Sequence, residues 1–155
     1  MAKKTWREKL LDSKDLPKVV VLKENARKHL HASTMAIPSP MEVYDIMARV
    51  PKGKLITIEE IRKTVALKHK ADIGCPLTCG IFSWIAAHAA VEAGTEDKEK
   101  MMPYWRTLKT NGVLNQKYPG GVEEQKRYLR AEGYSIIQKG KKFLVEDYEK
   151  CLPKD

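Results

Sequence analysis

The sequence predicts a mainly α-helical fold with small β elements, on the evidence of three features. Two helices each begin with a recognisable cap, one at Ser39-Pro40 and one at Thr57-Ile58-Glu59-Glu60. A stretch from Pro76 to about Glu92 carries no charged side chain for many residues, which is typical of a central helix. Two short runs near the end, Tyr134–Gln138 and Lys142–Val145, flank a glycine and predict a C-terminal β-hairpin.

Residues 1–37 are predicted to form an N-terminal extension and residues 38–155 the main domain. The boundary lies at a proline-rich stretch, because a proline disfavours helix in the residue before it. The predicted elements of the extension are a helix near Thr5–Asp12, a strand over Lys18–Leu22 and a short helix over Glu24–Leu30.

The main domain is predicted to open with two consecutive helices. The first begins at Pro40 with Ser39 as its cap, and its apolar residues Val43, Ile46, Met47 and Val50 recur at helical spacing. A Pro-Lys-Gly-Lys turn and a short extended link lead into the capping box at Thr57. The buried side of the second helix is predicted to hold Ile61, Val65 and Leu67. Helix, turn, extended link and capped helix resemble the first half of a winged helix-turn-helix.

The third predicted helix opens with Pro76, after a loop over Ala71-Asp72-Ile73-Gly74. Small side chains are frequent in this helix, and two interpretations are open. It is either a central buried helix, or one whose small side chains let its backbone approach a nucleic-acid groove closely.

The remaining segments have local signals of their own. Gly94–Lys100 is predicted to be a charged, mobile loop, and Asn111-Gly112 to form a tight turn. A last helix is predicted over Val122–Ala131, with Gly133 where a helix C-cap would lie.

The net charge of +9 is the strongest compositional hint of function. Counterion release makes a basic surface bind polyanions, although a lysine-rich surface also serves solubility alone. We therefore predict nucleic acid as a partner, and the sequence leaves the oligomeric state open. Ile81–Val91, the longest apolar run, is too short to span a bilayer, and no apolar segment follows the basic N-terminus. A cytoplasmic location is expected.

Cys75, Cys79 and Cys151 are an odd set, which argues against a disulfide framework. Cys75 and Cys79 share a helix face, but no Cys-x-x-Cys or close His pair accompanies them, so no metal or other cofactor is predicted. We interpret them as small, semi-buried thiols. A reactive thiol at either position is the open alternative.

Four short motifs follow one another at a characteristic spacing. They are Pro51-Lys52-Gly53-Lys54-Leu55-Ile56-Thr57, Pro103-Tyr104-Trp105-Arg106, Asn111-Gly112-Val113-Leu114, and the ending Gly120-Gly121, Gln125, Leu129 and Glu132-Gly133. From about Pro40 to Tyr134 the chain thereby resembles the C-terminal DNA-binding domain of the O6-alkylguanine-DNA alkyltransferase family and its alkyltransferase-like relatives. The resemblance implies a winged helix-turn-helix-like domain and a place in DNA repair.

The resemblance also shows which parts of the family's chemistry are missing. It places Tyr104 where the family has its acceptor Cys, Trp105 where it has a His, and Glu132 at the matching carboxylate. A phenol, with an ordinary pKa of about 10, is a poor nucleophile at neutral pH. Cys-dependent alkyl transfer is therefore not expected, and no residue is assigned a catalytic role. Ile58 replaces the family's base-rotating Tyr, and Cys79 or Thr78 replaces the Arg that fills the gap left by the flipped base.

Two groups of site residues are implied by the resemblance. The pocket group is Pro103, Tyr104, Trp105, Arg106 and Glu132. The DNA-binding group is Thr57, Lys70, Thr78, Cys79, Gly80, Ser83, Lys109 and Lys117, with the lysines on phosphate.

The predicted function is a non-enzymatic, alkyltransferase-like DNA-binding protein. Tyr104 and Trp105 could stack on an alkylated or otherwise modified base, or could simply pack in the core of a degenerate pocket. The alternative functions are a small-molecule binder or enzyme that has reused the pocket, and a protein-interaction module. If residues 1–37 pack over the helix Thr78–His88, DNA binding in the family's manner would fail.

Overall fold

The computed structural model describes residues 4–94 and 100–153. Within these residues the chain forms six α-helices joined by short strands and 3-10 turns, as predicted. The helices are α1 (Trp6–Leu11), α2 (Glu24–Leu30), α3 (Pro40–Ala48), α4 (Ile58–His69), α5 (Pro76–Glu92) and α6 (Gly121–Ala131). The strands are β1 (Lys18–Val21), β2 (Thr34–Ile37), β3 (Ile56–Thr57), β4 (Ile73–Gly74), β5 (Thr107–Leu108), β6 (Ile136–Lys139) and β7 (Lys142–Val145). Most of the predicted loop Gly94–Lys100 lies outside the described residues.

The predicted starts of α3 and α4 are confirmed. Both could be predicted because each depends on a local cap. The Ser39 hydroxyl accepts from the Glu42 amide at 3.3 Å, with Pro40 in the first turn. The backbone amide of Thr57 donates to the Glu60 carboxylate at 2.8 Å, which closes the predicted capping box of α4. These contacts satisfy amides that have no partner inside the helix.

Three small sheets complete the fold. The first has the order β1-β2-β4, with β1 antiparallel and β4 parallel to β2. The second pairs β3 with β5 in parallel, and the third is the predicted hairpin of β6 and β7. The prediction of a loop over Ala71-Asp72-Ile73-Gly74 is wrong at its end, because Ile73 and Gly74 pair with β2, and β2 itself was not predicted.

The core is built around α5, which packs against α1, α3 and α4. Ile61 and Val65 of α4 are fully buried, as predicted. Leu67 is 81% exposed, so its predicted burial is wrong. The reason is helical geometry: Leu67 lies six residues after Ile61, which carries it well away from the buried side.

The N-terminal extension packs directly onto this core. α1 lies across α5 and also contacts α3. Strand β2 brings Ala36 beside Gly74, and the Ala36 carbonyl accepts from the Cys75 amide at 2.9 Å. The extension thus holds Cys75, the N-cap residue of α5. In the described part of the chain, no helix combines the length and apolar character needed to cross a membrane.

Candidate nucleic-acid interface

Helix α5 has two faces of different character. Its core face carries Cys79, Ser83, Ala86 and Ala90, which are 0–4% exposed. The opposite face carries Leu77, Gly80, Ile81 and Trp84, spaced at i, i+3, i+4 and i+7, and all four line a surface groove. The interpretation as a central buried helix therefore applies to the core face, and most of the small side chains lie on that face.

The groove, called the α5 groove here, has a volume of about 580 Å³. One wall is the first half of α5, and the other is formed by the segment from Lys109 to Lys117 together with the C-terminal hairpin. The described residues that line it are Ile58, Pro76, Leu77, Gly80, Ile81, Trp84, Lys109, Thr110, Asn111, Val113, Asn115, Gln116, Lys117 and Lys142.

All the charged residues in the described lining of the α5 groove are positive. Among its described lining residues, Lys109, Lys117 and Lys142 are cationic and none carries a carboxylate. All three lysines are exposed to solvent. A concave surface with apolar walls and only positive charges favours a polyanion that also offers flat apolar surface.

Side chains of α5 and of its N-cap residue form hydrogen bonds to the helix backbone in its first two turns. The Cys75 thiol accepts from the Thr78 amide at 3.5 Å, and Pro76 occupies the first helical position. The Ser83 hydroxyl donates to the Gly80 carbonyl at 2.6 Å. These contacts fix the backbone from which the groove face projects.

The structure separates the predicted DNA-binding residues into two sets. Gly80, Lys109 and Lys117 meet in the α5 groove. Thr78 is half-buried beside it, and Lys70 is exposed at the end of α4.

Thr57, Cys79 and Ser83 require a correction. They are 0–2% exposed, so their side chains support α4 and α5 from inside and do not face a ligand.

Most groove residues were not among the predicted site residues, and four of them matter for the argument: Leu77, Ile81, Trp84 and Lys142. Leu77, Ile81 and Trp84 had a usable signal in their helical spacing around Gly80. Lys142 had no local signal, because only the folding of the hairpin brings it beside Lys117 and Lys109.

The loop over residues 103–106, which resembles an acceptor loop, is closed by packed aromatic side chains. Tyr104 is fully buried and Trp105 is 4% exposed. The Trp105 ring stacks on Tyr128 with centroids 4.3 Å apart and planes 12° from parallel. The Tyr104 ring meets Tyr118 edge-on at 5.4 Å. Tyr104 and Trp105 therefore pack in the core, which is the second of the two interpretations given for them.

Arg106 and Glu132, also predicted to line that pocket, bind each other. The Arg106 guanidinium donates from Nε to Oε1 of Glu132 at 3.0 Å and from Nη2 to Oε2 at 2.5 Å. Its Nη1 donates to the Val50 carbonyl at 2.9 Å. The side chains are only 13% and 11% exposed, and Pro103 is half-buried next to them. The pair ties the loop to the ends of α3 and α6.

The chemistry of these groups does not favour a nucleophile. Burial raises the pKa of the Tyr104 phenol well above its ordinary value. Burial, and secondarily the neighbouring Cys75, raises the pKa of the Cys79 thiol to about 12. Cys75 is 6% exposed, so both thiols are more buried than predicted. Within residues 4–94 and 100–153, no group of three or more His, Cys, Asp or Glu side chains could hold a metal ion.

The extension packs over the later turns of α5, including Trp84 and His88 at the end of the predicted recognition helix Thr78–His88. The Trp6 ring stacks on His88 with centroids 4.3 Å apart and meets Trp84 edge-on at 6.0 Å. The backbone amides of Trp6 and Arg7 both donate to the Glu92 carboxylate at 3.0 Å. Leu77, in the first turn, stays 68% exposed. The first turn of α5 therefore stays accessible, whereas Trp84 and His88 are in contact with α1.

The sequence matches no protein-family model and no curated protein. The solved structures that match the fold include S. pombe Atl1 in complex with damaged DNA containing O6-carboxymethylguanine, and S. pombe ATL in complex with DNA. In each case the TM-score is 0.51, the identity is 20%, and the match covers 75% of this chain and 94% of the other. The chain thus has the fold of an alkyltransferase-like protein.

Proposed function

We propose that this protein binds duplex DNA without altering it, through the α5 groove. The observation that carries the proposal is the meeting of Lys109, Lys117 and Lys142 along an apolar helix face, among lining residues that include no described carboxylate. The proposal is supported by the fold, since S. pombe Atl1 has the same fold and was crystallised with damaged DNA.

Lysine contacts to phosphate give the proposal a measurable signature. Each phosphate neutralised on duplex DNA releases condensed counterions and contributes about −0.9 to the slope of log K against log salt. Three groove lysines therefore predict a contribution of roughly −2.7, and the loss of one lysine a change of about one unit in that slope.

The proposal includes that the protein does not take an alkyl group from the DNA that it binds. Alkyl transfer needs an accessible nucleophile in its reactive form. Tyr104 and Cys79 are both fully buried, and burial raises both pKa values. We infer that the protein acts by occupying DNA.

Recognition of an alkylated base in the Tyr104 loop would require the Trp105–Tyr128 stack to open. Breaking a stacked aromatic pair costs about 0.5–1.5 kcal/mol beyond the exposed area. We therefore expect duplexes with and without O6-methylguanine to bind with similar affinity.

The test is a fluorescence-anisotropy titration of both duplexes at several salt concentrations. Lys109→Ala and Lys117→Ala are each expected to weaken binding severalfold and to reduce the salt slope by about one. Lys28→Ala, which removes an exposed lysine on α2 in the extension, is the matched control and should change neither quantity. Salt-independent binding, or equal effects of all three variants, would exclude the α5 groove as the DNA site.

A further inference from the structure

Resting on the proposed function, we infer that Leu77 inserts between base pairs as an apolar wedge and unstacks one step of the bound duplex. The inference concerns how the α5 groove engages DNA, beyond the fact that it binds.

Leu77 is an exposed leucine inside a cationic groove. It is 68% exposed, although it belongs to a helix whose other face is fully buried. Large apolar side chains that stay in solvent at a concave surface mark contact sites. Within the groove, Leu77 continues the apolar row formed by Ile81 and Ile58.

The position of Leu77 suits a wedge because its backbone is fixed. It is the second residue of α5, directly after Pro76, and the helix is capped there by Cys75. The core face of α5 anchors the same turn through Cys79, which is fully buried. A side chain that separates stacked bases must resist being pushed back, and a rigid helix end provides that resistance.

The residue beside Leu77 leaves room for DNA to come close. Gly80, one turn further along α5, has no side chain, and a Cβ built on it would meet no atom within 4 Å. The backbone of the duplex can therefore approach the helix at Gly80 while Leu77 enters the stack.

The charges around Leu77 favour nucleic acid over a protein partner. Lys109 and Lys117 line the same groove, and Lys142 adds a third positive charge from the hairpin. Proteins that bind the minor groove combine cations on phosphate with Leu, Ile, Met or Phe wedges that partly unstack a base step and bend the duplex. The α5 groove has both components.

The test uses duplexes that carry 2-aminopurine at successive positions, since its fluorescence rises when it is unstacked. With the wild-type protein, we expect a rise at one or two adjacent positions. Leu77→Ala should abolish the rise and weaken binding about tenfold, the order of effect expected for a leucine that is fully buried on binding. Leu77→Met, which keeps a long apolar side chain, should retain the rise.

Leu67→Ala is the matched control, because Leu67 is an exposed leucine on α4 that does not line the groove. It should leave fluorescence and affinity unchanged. The salt slope, measured in the same titrations, separates the wedge from the proposed function. The wedge is wrong, and DNA binding stands, if the wild-type protein binds with a lysine-dependent salt slope but 2-aminopurine fluorescence rises at no position. The same conclusion follows if Leu77→Ala has the fluorescence and affinity of the wild-type protein. If binding has no salt dependence, both fail.

Discussion

The Trp6 indole lies on the His88 imidazole, with ring centroids 4.3 Å apart and planes inclined by 18°. The same imidazole donates through Nε2 to the Lys117 carbonyl at 2.8 Å. His88 therefore links α1 to the segment that supplies the second wall of the α5 groove. The first helix of the extension and the proposed DNA site are thus mechanically connected through one side chain.

Removing the stacked indole should loosen α1. Trp6→Ala is expected to lower the free energy of unfolding by about 1–3 kcal/mol, less than for a fully buried Trp because Trp6 is half-buried. Glu92→Ala, which removes the acceptor of the Trp6 and Arg7 amides, should cost about 1 kcal/mol. Urea unfolding gives both values. Because both side chains hold the same six-residue helix, the double variant should lose less than the sum. Strict additivity would show that α1 is not held as a unit.

Gly80→Ala should separate stability from binding. A helical glycine costs about 0.5–1 kcal/mol relative to alanine, and a Cβ at Gly80 meets nothing within 4 Å, so thermal unfolding should shift upward. DNA affinity should fall, because the added methyl stands where the duplex approaches the helix. Gly74→Ala is the contrasting variant. Its Cβ would lie 2.4 Å from the Arg62 carbonyl oxygen, so it should destabilise the fold. Tighter DNA binding by Gly80→Ala would argue against close approach at this point.

The Arg106–Glu132 pair should behave as a structural unit. Arg106→Met leaves the Glu132 carboxylate buried without its cation, and Glu132→Leu leaves the Arg106 guanidinium buried without its anion. Each change is expected to destabilise by about 3 kcal/mol. The double variant Arg106→Met with Glu132→Leu should be clearly more stable than that sum implies, as a denaturant-based double-mutant cycle would show. A coupling energy near zero would mean that solvent screens the pair.

The buried thiols should be inert in the folded state. With its pKa raised to about 12, Cys79 is on the order of 10⁻⁴ thiolate at pH 8, so Ellman's reagent should label it only after unfolding. Cys151, which is partly exposed, should react first. Rapid labelling of two thiols without denaturant would contradict the burial of α5.

The same raised pKa predicts a pH dependence of stability. The unfolded thiol ionises near its ordinary value of 9.0, whereas the folded thiol stays protonated up to about 12. The unfolded state therefore binds fewer protons above pH 9, and stability falls as the pH rises through that range. Urea midpoints between pH 8 and 10 should decline, and Cys79→Ala should decline less steeply. An equal decline in both proteins would assign the effect to buried tyrosines such as Tyr104.

Local signals predicted much of the helical part of this fold. Ser39-Pro40 and the capping box at Thr57 are signals of no more than four residues, and each predicts the start of a helix. Both helices begin there. β2 and β4 escaped prediction because the paired residues Met35 and Ile73 are separated by 37 intervening positions, and β4 is only two residues long. No short window of sequence contains that information.

The site was predicted less completely for two physical reasons. First, α5 is apolar on both sides, so its residue pattern did not separate Cys79, which faces the core, from Leu77, which faces the groove. Second, the burial of Trp105 in the Tyr104 loop depends on Tyr128, a residue of α6 whose ring stacks on Trp105. Lys109 and Lys117 were easier to predict than Lys142, because they lie in the segment that follows the Tyr104 loop, whereas Lys142 reaches the groove only through the C-terminal hairpin.

The pairing of Ala36 with Gly74 has a consequence for how the molecule folds. The strand that fixes the start of α5 comes from the extension, so this contact closes a loop of more than thirty residues that contains α3 and α4. Opening of the extension and fraying of the first turn of α5 should accordingly be one event. Hydrogen exchange would then report matching protection for the Cys75 amide and for the amides of β2.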